Sequence, residues 1–358
     1  MSLFHSHSPF RIFIVSTGLT LLSLVLVLGY LGWQAMFVAL LLMIIELTFS
    51  FDNAIINARV LTTMSSFWQR MFMTIGVLIA VFGMRLVFPI FIVVLSASLG
   101  WSEVVNLAVH HPAQYSQILH EAHASIAAFG GMFLFMLALH FFFDTNRTVH
   151  WLTTIEHPLQ LIGRKWLHAA ICSVTLLVIS FLPGNHHPRE VLIAGALGIV
   201  TYLVVHGASE LFTLQYERAK KSRHGRSRRQ LALAGLTSFI YLEVLDASFS
   251  LDGVIGAFAI TNDVVLIAVG LGIGALWVRS LTLFIVRRKV LVTYRFLEHG
   301  AHYVIAILAL TLLIGIFIDI PEVVAGVVGV GVIVASVISS RRAGQKDLQK
   351  LTQPSVFK

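Results

Sequence analysis

The sequence is poor in charged residues and in cysteine. Only 12% of its 358 residues are charged, whereas soluble domains carry about 25%. Hydrophobic residues make up 57% of the chain, and the mean hydropathy is +0.87. The single Cys172 excludes an intramolecular disulfide framework and a thiolate metal cluster. This composition predicts an integral membrane protein.

Apolar windows of about 20 residues predict ten transmembrane helices, and therefore an all-α fold. The expected spans are 10–31, 35–58, 71–98, 124–143, 167–183, 190–213, 231–259, 264–286, 300–319 and 322–340. The first follows Arg11 and has no small-x-small cleavage site. We therefore expect a membrane span there and not a cleaved signal peptide.

The basic residues predict the orientation of these spans. Of the 25 Lys and Arg residues, 22 fall in segments that alternate to one side, and Arg189 alone falls in a loop on the other. Because basic loops stay in the cytoplasm, both termini and the basic loop 214–230 are expected there. The net charge of +8 then reflects contact with anionic lipid, as in a bacterial inner membrane, and not a nucleic-acid partner.

A ten-residue motif occurs twice, at an offset of 200 residues. The copies are ELTFSFDNAI (Glu46–Ile55) and DASFSLDGVI (Asp246–Ile255), in the second and seventh expected spans. Because the second copy lies five spans after the first, an odd number, it would cross the membrane in the opposite sense, as in inverted-repeat transporters. The expected repeats are 1–185 (core spans 35–145) and 186–358 (core spans 231–320). Matching glycine–arginine pairs, nine residues apart, are Gly76 with Arg85 and Gly270 with Arg279.

Acidic side chains inside a membrane are costly, and they usually serve a function. The candidate metal ligands are Glu46, Asp52, Asn53, Glu243, Asp246 and Asp252, with Ser50 and Ser250 as further ligands and Arg85 and Arg279 as counter-charges. Oxygen donors of this kind suit Mn²⁺, Ca²⁺ or Mg²⁺. Crowded carboxylates take up protons that a divalent cation would displace, so cation–proton exchange is chemically natural. A buried hydrogen-bonded network that only joins helices is the structural alternative.

Helical spacing places Glu46, Ser50 and Asn53 on one polar stripe. Asp52 lies about 120° from that stripe on a regular helix. Either it faces a neighbouring helix, or the helix loosens there. Gly253 favours loosening in the second copy.

Histidines form two further groups of candidates. Six are expected outside the membrane, where they could receive an exported metal or be ordinary loop residues: His110, His111, His120, His123, His186 and His187. Two histidines are each followed four residues later by a carboxylate: His140 by Asp144 and His206 by Glu210. These histidine–carboxylate pairs could carry protons or only stabilise their helices.

With these residues in hand, the chain resembles the TerC-like integral membrane proteins, within the superfamily that includes lysine exporters. The motifs are Glu46…Phe51-Asp52-Asn53, Glu243-x-x-Asp246-x-x-Phe249-x-x-Asp252 and Ala259-Ile-Thr261. The resemblance covers about 35–145 and 231–320. It implies metal-ion homeostasis, chiefly Mn²⁺ export, and tellurite resistance. It also implies metal-handling roles for Glu46, Asp52, Asn53, Asp246 and Asp252. Ile255 stands where the family often has proline, and the chain carries extra spans around each core.

We therefore expect a secondary transporter that exports a divalent cation, Mn²⁺ before Ca²⁺ or Mg²⁺, across the lipid bilayer. The alternatives are a non-transporting partner of protein export or metalation, and an intramembrane aspartyl enzyme. The signatures of the enzyme class are missing around Asp52, Asp246 and Asp252, so we expect no enzymatic activity. Composition and motifs leave the oligomeric state undetermined.

Overall fold

A computed structural model of the chain describes residues 10–97, 99–164, 166–221, 228–258, 260–318 and 320–352. Every regular element in these ranges is helical. The first half contains α1 (Phe10–Phe49), α2 (Phe51–Thr63), α3 (Ser66–Met71), π1 (Phe72–Gly76), π2 (Ile79–Val87), α4 (Phe88–Ala97), α5 (Trp101–His110), α6 (Pro112–Glu121) and α7 (His123–Phe143). The second part contains α8 (Thr153–Ile162), α9 (Leu167–Phe181), α10 (Pro188–Lys221), α11 (Arg228–Phe258), α12 (Val264–Arg287), α13 (Val290–Thr293), α14 (Leu297–Gly315) and α15 (Glu322–Thr352).

Within the described ranges, seven helices are long and apolar enough to cross a membrane. They are Ile12–Phe49, Ser66–Val94, His123–Phe143, Pro188–Ala208, Val264–Arg287, Leu297–Gly315 and Val324–Gln345. The pair α8–α9, bent by 100°, adds an eighth if it forms one broken span. The chain is thus an all-α, multi-pass membrane protein. The count is below the ten expected, in part because α2 and α11 are not among these helices.

The first expected span and most of the second lie in one element, α1, which is interrupted at Gly32, and the rest of the second lies in α2. Gly32 has φ 87° and ψ 178°, and the helix kinks there. Only glycine adopts this backbone region without strain. The sequence placed the break within 29–32, and the structure assigns it to the last of these residues.

Burial separates a central group of helices from a peripheral one. The apolar windows of α7, α12 and α14 are 72%, 61% and 56% buried, whereas that of α1 is 17% buried. α7 packs against α10 and α14, and α12 packs against α1 and α2. Because the outer helices keep large apolar side chains on their surfaces, their free faces suit the hydrocarbon of a bilayer.

The basic segment 214–230 is largely helical in the structure. α10 continues to Lys221, and α11 begins at Arg228. Only 222–227 lie outside the described residues. The helices therefore extend into a segment that the sequence had suggested to be a loop.

Glycines of α12 bring this helix close to α1. A Cβ atom at Gly270 would lie 2.6 Å from Leu42 Cβ and 3.0 Å from the Ala39 carbonyl oxygen. A Cβ atom at Gly274 would lie 2.5 Å from Glu46 Cβ. Such small residues let helix backbones approach closely in membranes. The glycine run therefore sets the position of Glu46 against α12.

We predict that Gly270→Ala destabilises the protein by about 1–3 kcal/mol, because the added methyl meets a backbone oxygen that cannot move away. Thermal unfolding of the purified protein in detergent would measure the loss. Gly331→Ala on α15 is the matched control, since no described atom lies within 4 Å of a Cβ there. Equal melting temperatures for the two variants would contradict the close approach of α1 and α12.

Candidate functional site

The first motif copy contains a break between two helices. α1 ends at Phe49, and Ser50 leaves helical geometry with φ −97° and ψ 18° before α2 begins. The Ser50 hydroxyl donates a hydrogen bond of 2.9 Å to Glu46 Oε1. The loosened turn therefore lies in the first copy, whereas the sequence had favoured the second.

Glu46 is paired with a buried arginine. The carboxylate is 5% exposed and forms a salt bridge with Arg85. Arg85 lies in π2 and also donates to the Ala80 carbonyl oxygen at 2.6 Å. Wide π turns often accompany functional sites, and this one directs Arg85 to the end of α1.

Asp52 and Asn53 lie in the first turn of α2 and are buried, at 3% and 5% exposure. Asp52 Oδ2 and Asn53 Oδ1 have no hydrogen-bond partner among the described residues. One helical turn further along α2, the amide nitrogen and oxygen of Asn57 also lack a hydrogen-bond partner among the described residues. Buried polar atoms are nearly always satisfied in proteins, so such a group of oxygens calls for a ligand or water.

The second copy lies in the C-terminal half of α11, and one arginine binds its first carboxylate, Asp246, together with Glu243, which precedes the copy by three residues. Arg279 of α12 donates to Glu243 Oε1 and Oε2, each at 3.1 Å, and to Asp246 Oδ2 at 3.1 Å. Its guanidinium also lies 4.0 Å from the ring centre of Phe72. Since Arg279 is 2% exposed, this network is fully enclosed.

The two copies meet at Glu46 and Gly253. A Cβ atom at Gly253 would lie 3.4 Å from Glu46 Oε2, so the carboxylate of the first copy faces the backbone of the second. A cavity of about 400 Å³ opens at this point. Its polar and backbone lining includes Glu46, Ser50, Asp52, Asn53 and Gly253.

The remaining candidates of the second copy lie near this cavity along α11. Ser250 is 6% exposed, and its hydroxyl has no hydrogen-bond partner among the described residues. The side chain of Asp252 lies outside the described part of the structure. Its neighbour Gly253 places the backbone of this position beside Glu46.

The candidate ligands thus form two layers and do not surround one point. Asp246 precedes Gly253 by seven residues, which corresponds to about 10 Å along α11. Among the described residues, no group of three or more His, Cys, Asp or Glu side chains is arranged to hold a metal ion. Within the second layer, Arg279 pairs with both Glu243 and Asp246.

A family model described as "Protein of unknown function (DUF475)" matches residues 51–347. The chain belongs to the DUF475 family. Searches of curated proteins and of solved structures gave no match. The region that matches the DUF475 model begins inside the first motif copy, after Glu46, and includes all of the second.

One buried ionic cluster in the DUF475 region was missed in the sequence. Glu156 of α8 is wholly buried and lies 2.9 Å from His299 Nδ1 and 3.6 Å from Arg147. Burial lowers the pKa of Arg147, and the Glu156 charge opposes that shift. His299 is 143 residues from Glu156 and shares no motif with it, so spacing gave no signal for this contact.

We predict that Arg279→Gln destabilises the protein by about 3–5 kcal/mol, because it leaves two buried carboxylates without their cation. Arg59→Gln is the matched control. Arg59 is 61% exposed and pairs with Glu298 at 3.1 Å, and such a surface pair contributes less than about 1 kcal/mol.

Thermal unfolding in detergent compares the two variants, and adding Glu243→Gln to Arg279→Gln should recover part of the loss. If Arg279→Gln and Arg59→Gln melt at the same temperature, the buried ion pairs of Arg279 do not stabilise the fold.

Proposed function

We propose that this protein is a secondary transporter that exports a divalent cation, with Mn²⁺ as the expected substrate. The observation that carries the proposal is the cavity where Glu46 faces Gly253. The oxygens of Asp52 and Asn53 in its wall lack a hydrogen-bond partner among the described residues. Carboxylate and amide oxygens are the ligands that hard divalent cations prefer. Ser250 and Asp252 would complete the site from α11.

Charge balance supports a divalent substrate. The described centre holds four carboxylates, those of Glu46, Asp52, Glu243 and Asp246, against the guanidiniums of Arg85 and Arg279. If all are ionised, two negative charges remain, and Asp252 would add a third. Uncompensated charge in a membrane is costly. With Asp252 protonated, one divalent cation would neutralise the centre, and two protons would replace the cation when it leaves, so exchange of one cation for two protons keeps the site neutral.

Equivalent ion pairs support an inverted-repeat architecture of ten spans. Glu46 pairs with Arg85, and Asp246 pairs with Arg279. Glu46 and Asp246 are equivalent positions of the repeated motif, and the two arginines each follow a matching glycine by nine residues. The same contact thus recurs once in each proposed repeat.

The matching glycines add a second correspondence. A Cβ atom at Gly76 would lie 2.6 Å from Glu243 Oε1, and one at Gly270 would lie 2.6 Å from Leu42 Cβ. Positions 42 and 243 differ by one residue after the 200-residue offset. Each glycine therefore contacts the motif-bearing helix of the other proposed repeat, which is the arrangement of interlocked repeats around a shared site.

An outward route follows from the neighbouring cavity. A second cavity, of about 650 Å³, shares Phe49 and Gly253 with the first and extends to His120 and His123. These histidines are expected on the outer face of a bacterial inner membrane. We propose that the cation enters from the cytoplasm, binds beside Asp52 and leaves toward them.

The TerC-like resemblance agrees with this proposal and stays a prediction. It supplies Mn²⁺ as the first substrate to test, with Ca²⁺ and Mg²⁺ next, since all three accept oxygen ligands.

We predict that Asp52→Asn abolishes Mn²⁺ transport while the protein still folds, because the amide keeps the volume and removes the charge. Uptake or release of Mn²⁺ by proteoliposomes would measure this, with size-exclusion chromatography as the test of folding. Asp252→Asn should have the same effect. Glu103→Gln, which lies on the exposed surface of α5, is the matched control and should transport normally. Wild-type rates in both aspartate variants would rule out this site.

A further inference from the structure

A cluster of three histidines lies away from the acidic centre. The rings belong to His140 of α7, His168 of α9 and His206 of α10. The His140 ring centre lies 4.3 Å from that of His206 and 5.0 Å from that of His168, and both pairs are edge-to-face. The sequence had suggested His140 and His206 only as members of separate histidine–carboxylate pairs, and it did not single out His168. The fold therefore joins three imidazoles from distant parts of the chain.

This histidine cluster is distinct from the carboxylate site. Gly130 of α7 faces α11, since a Cβ atom there would lie 3.4 Å from the Ser248 carbonyl oxygen. His140 lies ten residues further along α7, which corresponds to about 15 Å. The helices that carry the cluster are also different from α1, α2 and α11, which form the acidic centre.

The spacing of the His140 and His168 rings, 5.0 Å between their centres, is that expected of two ligands of one metal ion. Imidazole nitrogens bind Zn²⁺ at about 2.0–2.1 Å in tetrahedral geometry, which places the ring centres of two ligands about 5 Å apart. His140 Nδ1 is buried and has no hydrogen-bond partner among the described residues. In the conformation described, no three of these side chains are arranged to hold a metal ion, so binding requires the rings to rotate about their side-chain bonds.

The surroundings suit a bound cation. Tyr202 stacks on His206 with ring centres 5.2 Å apart, and its buried hydroxyl has no described partner. Asp144 and Glu210, one turn beyond His140 and His206, act electrostatically on His140. A divalent ion among the three rings would therefore have neutral nitrogen ligands and two nearby negative charges.

We infer that His140, His168 and His206 bind a transition-metal ion of the Zn²⁺ class. Imidazole ligands suit Zn²⁺, Co²⁺ and Ni²⁺, whereas the oxygen ligands of the acidic centre suit Mn²⁺, Ca²⁺ and Mg²⁺. The two sites would thus select different cations. The inference rests on the histidine geometry alone and does not require that the protein transport a metal.

The test is the zinc content of the purified, tag-free, full-length protein. After dialysis against Zn²⁺ and removal of free metal, we expect His140→Phe and His206→Phe each to bind one Zn²⁺ fewer than the wild type. Phenylalanine keeps a ring in the packing and removes the ligand. His157→Phe, at an exposed position, is the matched control and should retain the wild-type content. Unchanged zinc content in both cluster variants would overturn the inference.

X-ray absorption spectroscopy of the wild type keeps the test valid if the variants fail to fold. With one equivalent of Zn²⁺ added, we expect the scattering pattern of three imidazole ligands. A spectrum with only oxygen ligands would overturn the inference. Asp52→Asn should give the wild-type spectrum, so a failure of the transport proposal remains distinguishable from a failure of this one.

Discussion

An ionised carboxylate in the interior of a membrane protein is expensive unless a positive charge lies beside it. Arg85 and Arg279 supply that charge here, and each is almost fully buried. Because one joins π2 to the end of α1 and the other joins α12 to α11, the two pairs fix the helices around the acidic centre. The positions of the remaining polar groups depend on this arrangement.

The ion pairs with arginine also separate the carboxylates that are already bound from the oxygens that are free to bind a ligand. Both carboxylate oxygens of Glu243 and Oδ2 of Asp246 accept hydrogen bonds from Arg279. A cation would have to compete with this guanidinium for them. Asp52 and Asn53 retain oxygens without partners, and Glu46 turns its second oxygen toward Gly253. Under the proposed function, the cation would therefore bind in the layer formed by Glu46, α2 and the Gly253 region, and the Arg279 layer would compensate charge.

The sequence predicted the burial of the motif residues and their all-helical setting, because carboxylates in long apolar windows leave few other folds. It left open a loosened turn near Asp52 but did not place the break at Ser50, since serine is compatible with a regular helix and the glycine lies in the other copy. The split of the first apolar stretch near Gly32 was predicted, since the sequence placed a break within 29–32 and α1 kinks at Gly32. The total of ten spans stays a prediction, because α2 and α11 are not among the helices long and apolar enough to cross a membrane in the described ranges. The histidine cluster could not be predicted, because His140, His168 and His206 meet only after α7, α9 and α10 pack together.

The most direct test of the account is to locate bound Mn²⁺ by anomalous X-ray diffraction from crystals of the wild-type protein. The account predicts one strong peak in the cavity between Asp52, Asn53 and Gly253, within coordination distance of the Asp52 carboxylate. A peak only at the Arg279 layer or at surface carboxylates, or no peak at saturating Mn²⁺, would contradict it.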